Sequence, residues 1–87
     1  MSVNLNVREL LPEDSIVLDN SSFDKSIIGV TANGNVVYDF DKMVEEYMED
    51  NQCSAEEAMD WITYNTMRAI PYFPEPKPII IYPLEVV

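Results

Sequence analysis

The chain reads as an α+β domain on three observations: an Asn33-Gly34 dipeptide between two β-branched runs, a switch to helical periodicity at Asp41, and a proline-rich passage that delivers "IIIY" at 79–82. Together they predict a small antiparallel sheet packed against two helices. The hairpin and the C-terminal strand build that sheet, and an N-terminal strand is a further candidate. The 87 residues read as one domain, 1–87, because domains run from about 50 to 250 residues and no second core is evident.

Val3, Leu5 and Val7 alternate with Asn4, Asn6 and Arg8, the period-two pattern of a strand with one buried face. "SIVLD" at 15–19 is a second short candidate, followed by a turn cluster at 19–22. The hairpin comes next, residues 27–31 with 36–40. Asn-Gly readily takes the positive φ angles of a two-residue turn, which would set Val30 opposite Val37 and Gly29 opposite Tyr38. A glycine there would leave room for the ring.

From Asp41 the period becomes helical: Met43, Val44, Tyr47 and Met48 form one stripe and acids fill the other face, with Asp41 as the expected N-cap. "DNQC" interrupts. Ser54 and Glu57 then form a capping box, followed by Ala58, Trp61, Ile62, Asn65 and Ala69 at helical spacing. Pro71 ends this second helix. "PYFPEPKP" favours an extended crossing, and the apolar strand after Pro78 is bounded by Pro83.

The run "IIGVTANGNVVYDFDKMVEEYMED", followed by "SAEEAMDWITYNTMRAIPY" and "PIIIY", resembles a family of small uncharacterised proteins from phages and mobile elements of Gram-positive bacteria. Its pattern is a hairpin ending in Tyr-Asp, an acidic helix, a second helix closing on Tyr-Asn-Thr-x-Arg-Ala-x-Pro-Tyr, and a terminal apolar strand. The likeness covers residues 26–82. It implies a genomic setting and carries no established activity.

Composition narrows the function classes. Sixteen acids against five bases give a formal charge of -11, which repels phosphate backbones and anionic membranes. Direct binding of nucleic acid or membrane is therefore not expected. A single cysteine, Cys53, permits no internal disulfide, and no secretory signal is legible, so a cytoplasmic setting is expected. The chain has no histidine and two glycines, so neither a transition-metal site, a phosphate loop nor a Cys-His pair is available. No metal, cofactor or catalytic residue is expected, and the chain is read as not an enzyme.

Two candidate binding features remain. Residues 41–60 hold eight acids against Lys42. Glu45, Glu46, Glu49, Asp50 and Glu56 are the candidates there for docking a basic surface of a host factor, against the simpler reading of a solvated helix face. A DNA-like charge line is a poor description, since a ten-residue helix spans about 15 Å and duplex DNA offers about nine charges over that length. The second feature is a candidate hot spot of Tyr64, Arg68, Tyr72 and Phe73, since exposed Tyr and Arg are enriched at such spots. Asn65 falls on the apolar stripe and is expected to be buried with partners, and Arg68 to pair with Asp39 or a loop carboxylate.

The expected function is a small acidic, non-catalytic protein-binding module. With the resemblance it becomes a phage or mobile-element accessory protein that modulates a host nucleic-acid-handling or defence factor. The alternative is a structural or self-associating homo-oligomeric module, for which so small a core makes a weak homodimer a fair expectation. The third is a small hydrolase or metal-dependent enzyme.

Overall fold

The computed structural model describes residues 7–84. The fold is α+β, with strands β1 (Ile27–Val30), β2 (Val36–Asp39) and β3 (Ile79–Ile81) in the order β1-β2-β3. Helices α1 (Phe40–Asn51) and α2 (Ala55–Trp61) lie between β2 and β3 in sequence.

The hairpin forms where the sequence predicts it, with a different turn. Val30 lies opposite Val36, Gly29 opposite Val37 and Ile27 opposite Tyr38, with a bulge between Ile27 and Gly29. Thr31 and Asn35 close a three-residue loop in which the Gly34 N–H donates to the Thr31 carbonyl at 2.9 Å and Gly34 takes φ +89°. A β-turn followed by a left-handed residue is the standard three-residue solution. Side chains favour it here: Thr31 Oγ1 accepts from the Asn35 N–H at 3.0 Å and donates to Asn35 Oδ1 at 2.9 Å. Gly29 consequently clears no space for Tyr38, and an added Cβ there would meet nothing within 4 Å.

Asn35 also donates through Nδ2 to the Lys77 carbonyl at 2.9 Å, tying the turn to the proline segment just before β3. That strand pairs with β2 in parallel, Val37 opposite Ile79 and Tyr38 opposite Ile80, so the sheet is mixed and not purely antiparallel. The connection explains the direction: both helices and the crossing intervene, and a parallel neighbour needs such a long crossover.

β2 runs into α1 without a loop, so its last residue becomes the cap. Asp39, and not Asp41, accepts from the Lys42 N–H at 3.1 Å. Gln52 in the left-handed region ends α1. Ser54 caps α2 as the capping box predicts, accepting from the Glu57 N–H and donating to Glu57 Oε1, both at 3.2 Å.

The helix does not continue as a regular α-helix to Pro71. Ile62–Met67 form a π-helical turn, and Ile70–Tyr72 a 3-10 turn beyond it. An α-helical ladder would give the Trp61 carbonyl to the backbone N–H of Asn65. In the π turn the Asn65 side chain reaches that carbonyl, at 3.0 Å. After Ala58 and Ile62 the half-buried positions are Thr66, Met67, Ala69 and Ile70, and Asn65 is exposed.

Residues 15–19 form no strand. They belong to an arm, residues 7–26, that starts in a 3-10 turn (Val7–Leu10) and ends in another (Ser21–Ser26) capped by Asn20, whose side chain accepts from the Ser22 N–H at 3.0 Å. The N-terminal strand expected at 3–7 lies outside the described residues except for Val7, the first residue of the opening turn. The arm supplies Leu18 and Phe23 to the core, which they share with Val36, Tyr38, Phe40, Met43, Val44, Ala58 and Ile62.

Tyr38 sits at the centre with 0% of its surface exposed. Its hydroxyl accepts from the Leu18 N–H at 3.0 Å, while Arg8 donates to the Leu18 carbonyl at 3.1 Å and to Asp24 Oδ2 at 2.7 Å. Both ends of the Leu18 backbone are thereby satisfied by side chains, which lets an irregular segment lie against the core at little polar cost. The Asp24 hydrogen bond also raises the Arg8 pKa above its ordinary value.

Burial pushes the Tyr38 phenol up, and the Leu18 hydrogen bond offsets part of this. The folded state therefore holds this proton more tightly than the unfolded chain. The associated stability is complete below the unfolded pKa of about 10 and is lost as pH rises through the folded value. Tyr38→Phe should cost about 1–3 kcal/mol at neutral pH, because it strands the Leu18 N–H. In urea titrations the gap between the two proteins should narrow above about pH 10. Equal stability at neutral pH would contradict this role for the hydroxyl.

Candidate functional site

Where the arm crosses the π turn, the surface folds into a pocket of about 210 Å³. Leu18 and Phe23 from the arm form its buried base, and Trp61, Ala69 and Phe73 form the opposite wall. Asp19, Asn20 and Asn65 join the lining from exposed positions, with half-buried Thr66 beside them. Asp19 is the one charged residue on the lining among the described residues.

Trp61 is 36% exposed, so the expected buried position holds only in part. Its ring is fixed by neighbours on both sides: Tyr47 stacks on it at 4.8 Å and 27°, and Phe23 lies tilted at 6.5 Å. Such pairs add about 0.5–1.5 kcal/mol beyond area burial. Desolvation holds the Tyr47 phenol above its ordinary range, with Cys53 and Glu57 adding to the shift. Cys53 itself is a half-buried free thiol packed against the core.

The acids the sequence singles out are spread over both helices. Glu45, Glu49 and Asp50 are exposed on α1 and Glu56 is exposed in the first turn of α2, whereas Glu46 is half-buried and faces Lys25 Nζ at 4.0 Å. Tyr64 and Arg68 do meet, with the guanidinium carbon 5.5 Å from the ring centroid, a cation–π arrangement. Arg68 makes no ion pair with Asp39 or with any other described carboxylate. Asp39 serves as the cap of α1, and Arg68 lies over the ring of Tyr64. Tyr64 is 67% exposed. Tyr72 is 89% exposed, and among the described residues neither a ring contact nor a hydrogen bond joins it to that pair.

Of the pocket residues, the sequence singles out Trp61, Asn65 and Ala69 as core positions and Phe73 as a hot-spot candidate. The legible signal was Asn65 itself: a polar amide on an apolar stripe, next to Thr63 and Thr66, marks a place where the regular ladder has a competitor. Among the described residues, no group of three or more His, Cys, Asp or Glu is arranged to hold a metal ion. No described helix is long and apolar enough to cross a membrane. Comparison with protein-family models, with curated proteins and with solved structures found no match to this chain.

Trp61→Ala removes two ring contacts from the pocket wall and should cost about 1–3 kcal/mol in urea unfolding followed by circular dichroism, with helix content retained. No loss would mean that the indole is only a surface group.

Proposed function

We propose that the protein is a non-catalytic binding module for a basic protein partner. The observation that carries this reading is the distribution of charge on the two helices: Glu45, Glu49, Asp50 and Glu56 all project into solvent, and Lys42 is the single base in the window 41–60. Such a surface steers cationic partners toward it and discriminates against anionic ones. Tyr64 and Arg68, at the end of the second helix, add an aromatic patch of the kind that anchors interfaces. The resemblance to small phage and mobile-element proteins of Gram-positive bacteria supplies the setting: an accessory protein acting in the cytoplasm on a host nucleic-acid-handling or defence factor, whose own basic groove is the surface recognised.

A second reading, self-association, rests on a separate observation. Ile79 and Ile81 lie on the sheet face opposite the buried Tyr38 and Val36 and are 37% and 36% exposed, and among the described residues β1 and β3 are both sheet edges. Uncovered apolar edges invite pairing between copies.

One pair of experiments separates the two readings. Affinity capture from a Gram-positive host lysate should recover a basic protein with the native chain, and should lose it when Glu45, Glu46 and Glu49 are replaced together by Lys. Retention of the same protein by the reversed variant contradicts the charge-led reading. Sedimentation should show a monomer at micromolar concentration; a dimer abolished by Ile79→Lys with Ile81→Lys would favour self-association.

A further inference from the structure

The pocket between the arm and the π turn is too small for a whole ligand of ordinary size. Small-molecule sites typically enclose about 300–1,000 Å³, and this one holds about 210 Å³. It is the size of a receptor for one side chain. Its chemistry specifies which: the exposed parts of Trp61 and Phe73 line a cleft over the buried Phe23, and Asp19 is its single charged residue among the described ones, on a chain with a formal charge of -11. An apolar side chain would leave Asp19 unused, and an acidic one would be repelled. A guanidinium matches both halves, because it is planar, stacks on aromatic faces and forms directed hydrogen bonds to a carboxylate.

We propose that this pocket takes one arginine side chain of the partner, with the aliphatic stem and guanidinium against the exposed parts of Trp61 and Phe73, above the buried Phe23, and the guanidinium donating to Asp19. The inference rests on the reading of the partner as a basic protein and names the point at which it is anchored. Two features make the site ready in advance. The arm wall is held by Tyr38 and Arg8 through Leu18, and the indole is held by Tyr47, so little ordering remains to be done on binding.

Trp61 is the one tryptophan of the chain, so its fluorescence reports the pocket directly. The probe is a short peptide with one arginine among glycines and serines, compared at matched ionic strength with the same peptide carrying glutamine. Up to about 10 mM, where a site of millimolar affinity fills, the arginine peptide should give a saturable change and the glutamine peptide none. Asp19→Asn alters an exposed residue and should weaken binding about tenfold, the loss of one charge-assisted contact. Ala69→Leu, which fills the pocket while leaving Asp19 in place, should abolish the response. An equal response to both peptides, an unchanged affinity in Asp19→Asn, or no saturation would overturn the proposal.

Failure of the broader reading looks different. If the arginine peptide behaves as expected while lysate capture is indifferent to reversing Glu45, Glu46 and Glu49, the anchor stands and the acidic helices are not the docking surface. If capture depends on those three acids but not on Asp19, the docking surface stands and the anchor does not.

Discussion

The structure depends on one buried hydroxyl. Tyr38 projects from the central strand into the core, and the hydrogen bond it accepts from the Leu18 N–H holds the preceding arm against the hairpin and α1. An irregular backbone cannot be buried unless its polar groups find partners, and residues 15–19 have no strand neighbour among the described residues to provide them. For Leu18, the buried residue of that segment, Tyr38 and Arg8 provide them at the N–H and the carbonyl, and Asp24 fixes Arg8 in turn. With the arm in place, Leu18 and Phe23 complete the core and form the base of the pocket. Fold and candidate site therefore share a single constraint.

Much of this was legible from local patterns. The hairpin, the capping box at Ser54 and Glu57 and the terminal strand all follow from short-range chemistry that each segment carries in itself. What escaped depended on side chains meeting at a distance or on a change of ladder. Asn33-Gly34 is compatible with a two-residue turn, but the Thr31 and Asn35 side chains close a longer one and shift the register by one residue. Asp41 is a sound cap by composition, yet the direct passage from β2 to α1 gives that role to Asp39. The direction of β3 follows from the path of the whole crossover, which no local window contains.

The candidate site was less legible than the fold for the same reason. Its walls come from an arm with weak periodicity and from a turn whose widening is hidden in "ITYNTM". An α-helical wheel places Asn65 inward and Arg68 near Asp39; the π turn exposes Asn65, and Arg68 lies against Tyr64. Irregular helical turns of this kind recur where a protein presents side chains for use, because the extra residue re-aims everything after it. Here it opens a cleft beside Trp61, on the side of the molecule where the arm ends. The acidic face of the helices was readable as charge alone, whereas the anchor required three dimensions.

Hydrogen exchange at the Leu18 amide tests the central claim most directly. If the Tyr38 hydroxyl holds the arm as an integral part of the core, this N–H exchanges only through global unfolding, with the protection seen at Val36 and Tyr38. Exchange at the rate of an exposed turn residue such as Ala32 would mean that the arm opens independently, and that neither the core nor the pocket depends on that bond.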